Sequence, residues 1–84
     1  MKIILNGKAK KELKCLPKHD IEKLLDKIFL LGGNNSGLDI KKIQPGHLGF
    51  YRLRVGNYRV IFKYGKNVVE IFKIDTRQSI YDTI

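Results

Sequence analysis

Hydrophobic and polar residues alternate most regularly in two neighbouring runs, residues 50–55 and 58–64. Alternation with a period of two predicts strands that bury one face and expose the other. The Gly-Asn pair at residues 56–57 is a two-residue turn signal, so the two runs form a hairpin. A third run, residues 68–74, follows the turn-forming residues 65–67. The second half of the chain is therefore an antiparallel three-stranded meander.

The first half of the chain carries a helical period instead. Ala9, Leu13 and Leu16 recur at helical spacing among lysines, and Pro17 interrupts this short amphipathic helix. Asp20 is suited to cap the start of a second helix or to place its charge there. This helix ends at the glycines of positions 32–33. One apolar stripe of this helix is formed by Ile21, Leu24, Leu25 and Ile28.

These elements predict a single α+β domain over residues 1–84. Its two N-terminal helices pack on one face of a small twisted, mainly antiparallel sheet, in the order β-α-α-β-β-β. The first strand is the short apolar run 2–5, as an edge or pairing strand. Residues 39–49 follow no clear period; we expect a turn at residues 45–46 and contacts of Ile40 and Ile43 with the core.

The two faces of the meander differ in chemistry. One face is apolar and is expected to receive the helices, since it gathers Tyr51, Leu53, Val55, Tyr58, Val60 and Phe62. The other face carries Arg52, Arg54, Arg59 and Lys63, with Arg54 directly opposite Arg59. The register of the third strand stays open, because the loop after residue 64 holds either two or three residues. A three-residue loop places Lys73 beside Arg59.

Charge makes the second face a candidate site. The 84 residues carry a formal net charge of +9, which predicts attraction to nucleic acid or to an acidic protein. Like charges directly opposite each other destabilise a hairpin, and guanidinium cannot lose its proton to relieve the repulsion. We therefore expect unpaired arginines that bind phosphate on this face. The alternative is the solvated outer face of an ordinary strand.

Other functional classes receive little support from the sequence. The lone Cys15 excludes an intrachain disulfide, suits a reducing cytoplasm, and is expected on a buried helix face. The longest apolar run, residues 28–31, is too short for a bilayer, so we expect a soluble cytoplasmic protein. No zinc-ligand spacing or glycine-rich phosphate loop is present, and no cofactor or metal is expected.

The block of residues 51–62, followed by Arg77 and Tyr81, resembles the RelE/ParE superfamily of type II toxin–antitoxin toxins. The resemblance also covers the first strand and the two lysine-rich helices, which are interrupted at residues 16–18. It implies a RelE-type toxin that cleaves messenger RNA in the ribosomal A site without a metal. The catalytic residues implied by this match are Arg52, Arg54, Arg59, Arg77 and Tyr81.

Within this match each residue has an expected role. Arg59 clamps the phosphate while the RNA 2′-hydroxyl attacks the phosphorus, and Arg77 neutralises the leaving oxygen. Tyr81 stacks on a base, or else anchors the C-terminus in the core. Arg52 and Arg54 stand where the family often has lysine, and arginine is a poor general base. We therefore expect positioning to dominate the catalysis.

Further cations are candidates for contacts with RNA or the ribosome: Lys10, Lys11, Lys14, Lys63 and Lys73. The simpler interpretation of the three helical lysines is a solvated helix face. The resemblance also implies an acidic cognate antitoxin, bound to a toxin that is otherwise monomeric. Two alternatives remain: a ParE-like inhibitor of DNA gyrase, and a non-toxic relative that binds only an antitoxin or nucleic acid.

Overall fold

The alternating half of the chain forms the centre of a five-stranded sheet with the order β1-β5-β4-β3-β2. The computed structural model describes residues 1–33, 36–43 and 49–76. Within them the elements are β1 (Lys2–Leu5), α1 (Gly7–Lys14), α2 (Lys18–Leu31), β2 (Asp39–Lys42), β3 (Phe50–Val55), β4 (Tyr58–Gly65) and β5 (Val68–Thr76). All pairings are antiparallel except that of β1 with β5. The predicted α+β class is confirmed.

Local sequence sets the helix boundaries. The Asn6 side chain caps α1 by accepting the backbone N–H of Ala9 at 2.9 Å. Pro17 precedes α2 with its φ fixed at −58°, compatible with the start of a helix. After α2, the Met1 amino group donates to the carbonyl of Gly32 at 2.9 Å. A Cβ at position 32 would lie 2.8 Å from the Met1 carbonyl oxygen, so this close approach requires glycine.

Both helices pack against one face of the sheet. A single cluster of buried side chains joins the two layers: Ala9, Leu13, Leu24, Ile28, Leu31, Leu53, Val60, Phe62, Val69, Ile71 and Ile74. The predicted apolar face is thereby confirmed, since Leu53, Val60 and Phe62 are fully buried. Tyr51, Val55 and Tyr58 pack around this cluster. Burial of these side chains provides the main driving force for folding.

A β-bulge decides the register that the sequence left open. The loop between β4 and β5 holds two residues, because Gly65 pairs with Val68. The register then shifts between Phe62, which faces Ile71, and Ile61, which faces Lys73. The extra residue in β5 returns Lys73 to the face of the arginines and places Ile74 in the core.

Beyond the end of β1, the Glu12 side chain of α1 accepts a hydrogen bond from the backbone of β5. The backbone N–H of Ile74 donates to the Glu12 carboxylate at 2.9 Å, while the register of β1 along β5 ends at the pair Leu5 and Ile71. A carboxylate from α1 thus satisfies a strand donor that lies beyond the end of β1.

Four sequence predictions need correction. Strand β2 was missed because its four residues include one apolar side chain, Ile40, and so carry no alternation signal. Cys15 is exposed, because it lies at the C-terminal cap of α1 and outside the buried stripe. Leu25 is 40% exposed, and Leu31 completes the core in its place. Ile43 lines a groove on the arginine side, whereas Ile40 packs on the core as expected.

The predicted turn at residues 45–46 lies outside the described residues. In the described part of the chain, neither helix has the length and apolar character needed to cross a bilayer.

Candidate functional site

The β3–β4 hairpin places two arginines directly opposite each other. Gly56 adopts φ = +59°, which a two-residue hairpin turn needs and glycine supplies without steric cost. Arg54 consequently pairs with Arg59, as the sequence predicted. Both side chains lie on the sheet face opposite the helices, because they alternate with the buried Leu53 and Val60. We call this side of the sheet the arginine face.

Arg52 lies two residues back on the same face and has a carboxylate partner. Its Nη2 donates to Oδ1 of Asp39 at 3.2 Å, and its side chain is only 11% exposed. The second oxygen of Asp39 lies 3.9 Å from Nε of Arg54, beyond hydrogen-bond distance. The expectation of unpaired arginines is therefore wrong for Arg52 and for Arg54, because both lie within ion-pair distance of Asp39. The cause is β2, which the sequence did not reveal and which sets Asp39 opposite Arg54.

Near Arg59, strand β5 adds one cation and one carboxylate to the arginine face. Lys73 and Asp75 form an ion pair, with Nζ and Oδ2 3.2 Å apart. Asp75 faces Arg59 in the pairing of β4 with β5. Sequence reasoning missed Asp75 because the predicted strand stopped at residue 74. Extending the strand by its period of two from Lys73 would have placed both residues on one face.

These side chains surround a shallow groove of about 260 Å³, lined by Ile43, Arg52, Arg59, Ile61, Lys73 and Asp75. The strand registers bring seven cations to the arginine face, namely Lys2, Lys41, Arg52, Arg54, Arg59, Lys63 and Lys73. They bring three carboxylates, namely Asp39, Glu70 and Asp75. Cations therefore exceed carboxylates by four. Guanidinium forks around an apolar floor are suited to bind a phosphodiester and the bases attached to it.

The other candidate lysines are separated from this groove. Lys63 lies on the arginine face but over the Phe50 ring, with its Nζ 5.4 Å from the ring centroid. Lys10, Lys11 and Lys14 are exposed on α1, in the helix layer on the other side of the sheet. Any contact they make with nucleic acid belongs to a different surface. Arg77 and Tyr81 lie outside the described residues.

A second polar contact lies on the helix side of the hairpin. The Tyr58 hydroxyl donates to Oδ2 of Asp20 at 2.7 Å, and this carboxylate sits in the first turn of α2. The hydrogen bond to Asp20, followed by burial and the negative charge of Asp20, raises the pKa of Tyr58 above its ordinary value of 10.0. The contact ties the hairpin to α2 and is separate from the arginine face.

Metal ligands do not converge in the described ranges: no three His, Cys, Asp or Glu side chains come close enough there to hold an ion.

Comparison with known proteins identifies relatives of this arrangement. Residues 3–81 match the family model described as the ParE toxin of the type II toxin–antitoxin system parDE. The curated toxin RelE3 of Methanocaldococcus jannaschii is 34% identical, and the alignment covers 98% of this chain and 97% of that protein.

Two solved structures extend the similarity to three dimensions. The RelB–RelE antitoxin–toxin complex from Methanococcus jannaschii contains a chain with 31% identity and a TM-score of 0.74, covering 96% of this chain and 98% of that one. The archaeal RelE–RelB complex from Pyrococcus horikoshii OT3 gives 28% identity and a TM-score of 0.72, with coverages of 90% and 93%.

Proposed function

This chain belongs to the RelE/ParE superfamily of type II toxin–antitoxin toxins, and on that premise we propose that it is a ribosome-dependent endoribonuclease that cleaves messenger RNA in the A site. One observation carries the proposal: Arg54 and Arg59 face each other on an open sheet surface, with Arg52 beside them. Like charges in opposite positions lower the stability of the hairpin, and a bound anion relieves this repulsion.

The proposed reaction begins with attack of the RNA 2′-hydroxyl on the adjacent phosphorus. The 5′-oxygen of the next nucleotide leaves, and a cyclic phosphate remains on the upstream fragment. Arg59 binds the phosphoryl oxygens, whose negative charge grows in the transition state. Arg52 and Arg54 orient the backbone and the 2′-hydroxyl, and most of the rate enhancement comes from this positioning.

Two expected catalytic residues remain proposals from the family resemblance alone. Arg77 neutralises the leaving 5′-oxygen or helps to deliver its proton, and Tyr81 stacks on a base to hold the nucleotide splayed. Lys63 and Lys73 add charge along the same sheet face and are proposed contacts of the RNA backbone. Lys10, Lys11 and Lys14 are proposed to contact ribosomal RNA from the helix layer.

The decisive experiment is induced expression followed by mapping of RNA ends on ribosome-bound messages. Wild type is expected to arrest translation and to produce new 5′-hydroxyl ends, because attack by the 2′-hydroxyl expels the 5′-oxygen. Arg59→Ala is expected to restore growth and remove these ends. Lys27→Ala on the exposed side of α2 removes the same charge away from the arginine face and is expected to behave like wild type.

Intact messages in arrested cells would contradict the endoribonuclease. The match to the ParE family model keeps inhibition of DNA gyrase as the second candidate. That function predicts loss of supercoiling and a DNA-damage response, with Arg52 and Arg54 dispensable. Growth without arrest, with the protein folded and abundant, would indicate a non-toxic relative.

We further propose a cytoplasmic complex with an acidic antitoxin. The net charge of +9 and an apolar surface on the helix layer support this partner. Met1, Phe29 and Leu30 line one groove of about 480 Å³ beside β1, and Phe29 is 78% exposed. Leu25 lies one turn earlier on α2 and is 40% exposed. An amphipathic helix with acidic flanks fits this combination.

Copurification tests the antitoxin proposal. The toxin is coexpressed with the small acidic protein of an adjacent gene, and Phe29→Ser is expected to weaken capture at least tenfold by removing a central apolar contact. Lys18→Ser, an exposed change at the start of α2, provides the control. Equal capture by both variants would place the antitoxin elsewhere on the toxin.

A further inference from the structure

Asp39 is a carboxylate of the arginine face that contacts two arginines. Its Oδ1 accepts a hydrogen bond from Nη2 of Arg52 at 3.2 Å, and its Oδ2 lies 3.9 Å from Nε of Arg54. The carboxylate thus spans the two guanidinium groups with one oxygen on each. A phosphate group that bound the same arginines would present its oxygens in a similar way.

The surroundings explain why a carboxylate is useful at this position. Arg54 faces Arg59 across the hairpin, and Arg52 faces Lys41 of β2. Without an anion, these like charges repel each other. Arg52 is also nearly buried, with 11% of its side chain exposed, and a buried charge without a partner is costly.

Asp39 itself is held only loosely. Half of its side chain is exposed, and it belongs to a four-residue strand at the edge of the sheet. Its contact with Arg54 is too long for a hydrogen bond, which leaves Arg54 Nε as a buried donor that no described residue satisfies. A well-hydrated carboxylate with one good hydrogen bond is a partner that an incoming phosphate can displace.

We propose that Asp39 is a positioning residue that occupies a phosphate-binding donor of Arg52 and forms a longer ion pair with Arg54 in the RNA-free toxin. It holds the guanidinium groups in place before RNA arrives, and it competes with the RNA phosphate for them. Asp39 thereby lowers the affinity for RNA while it keeps the arginines ordered for the reaction. This inference rests on the proposed function, because it requires phosphate binding at the arginine face.

The proposal predicts opposite changes in binding and in rate. Asp39→Asn removes the competing charge, so the dissociation constant for a short single-stranded 2′-O-methyl RNA is expected to fall about five- to tenfold. This RNA lacks the attacking hydroxyl and is not cleaved, so fluorescence anisotropy reports binding alone. On programmed ribosomes the single-turnover cleavage rate of the same variant is expected to fall, because its arginines are less well oriented.

Two variants provide matched controls. Asp26→Asn on the exposed side of α2 removes the same charge from a distant surface, and its affinity is expected to stay within about twofold of wild type because the charge is screened. Asp39→Glu keeps the carboxylate and is expected to retain most of the wild-type affinity and rate. Asp39→Thr, a neutral residue with good strand propensity, replaces Asp39→Asn if the latter does not fold.

The outcomes separate this inference from the proposed function. If Asp39→Asn binds the RNA no more tightly than Asp26→Asn does, competition by Asp39 is wrong. If binding tightens without any loss of cleavage rate, the positioning role is wrong. If Arg59→Ala leaves RNA binding unchanged, the arginine face does not bind phosphate and the proposed function fails first. If Arg59→Ala weakens binding, the results for the Asp39 variants test only the role of Asp39.

Discussion

The two faces of the β3–β4 hairpin are made by alternate residues of the same strands, yet they have opposite effects on the stability of the protein. Leu53, Val60 and Phe62 are completely buried under the helices. On the other side, Arg54 faces Arg59 across the turn. Each large apolar side chain on the first face contributes about 1.5–3 kcal/mol by leaving water. Like charges in opposite positions on the second face act in the other direction, by up to about 1 kcal/mol.

Residues that stabilise the fold and residues that are proposed to bind the ligand therefore alternate along the same strands. The free energy gained by burial on the helix-covered face exceeds the free energy lost by repulsion on the arginine face. The arginine face in turn is free to carry charges arranged for a ligand. Substitutions of neighbouring residues along one strand are therefore expected to affect different properties of the protein.

The largest expected effect comes from the centre of the helix-covered face. Phe62 is 0% exposed, so Phe62→Ala leaves a cavity and is expected to lower the free energy of unfolding by about 3–5 kcal/mol. Urea denaturation measures the change. The adjacent Lys63→Ala, on the arginine face, is expected to stay within about 0.5 kcal/mol of wild type. Equal losses in the two variants would contradict the division between the faces.

A smaller effect is expected when the shape of a cation is changed at Arg59. Arg59→Lys keeps the positive charge but removes the planar fork that binds two phosphate oxygens. Losing one hydrogen bond to a charged group costs about 1.5–3 kcal/mol, so cleavage on ribosomes is expected to slow at least about tenfold. The unfolding free energy should change little. Unchanged cleavage by this variant would mean that Arg59 acts only through its charge.

The third prediction concerns the polar contact that ties the hairpin to α2. Tyr58→Phe removes the hydrogen bond to Asp20 and is expected to cost about 1 kcal/mol at neutral pH. The native pKa of Tyr58 lies above its ordinary value of 10.0, so the folded state favours the protonated phenol. The unfolded phenol ionises first as the pH rises, and the stabilisation by Tyr58 is lost from about pH 10 upward.

Thermal unfolding of wild type and Tyr58→Phe between pH 7 and about pH 11 tests this linkage. The difference in stability is expected to be constant below pH 10 and to shrink above it. The two proteins share every other ionisable group, so the difference between them reports Tyr58. A difference that grows with pH would contradict the direction of the pKa change.

The smallest expected effect has the opposite sign. Arg54→Thr relieves the repulsion from Arg59 and introduces a residue that favours strands, so the protein is expected to become more stable by about 0.5 kcal/mol. The gain should shrink as salt is added, because salt screens the charges. RNA binding is expected to weaken in the same variant. A loss of stability would show that Arg54 contributes more through its contacts than it costs by repulsion.

Much of the fold followed from local patterns in the sequence. The hairpin turn at residues 56–57, the opposition of Arg54 and Arg59 and the apolar face were all predicted, and each is confirmed. They depend on residues close together in the chain, where the strand period and the turn length fix which side chains meet. The two helices were predictable for the same reason, although Leu25 and Cys15 proved to be exposed.

The polar partners of the site were not predictable in this way. Asp39 reaches Arg52 and Arg54 through β2, whose short polar sequence carries no strand period. Lys73 joins the arginine face through a bulge that displaces one residue of β5. Neither the partner of an edge strand nor the position of a bulge is determined by period alone.

The sequence by itself determined which side chains share a face, because alternation along a strand is a property of the backbone of each residue. It thereby also determined that three arginines gather on the face opposite the core. The tertiary structure decided which carboxylates meet those arginines, because β2 and β5 are placed beside the hairpin by packing and by pairing between distant parts of the chain. Neutralisation of the site depends on these long-range contacts, which no local pattern of residues encodes.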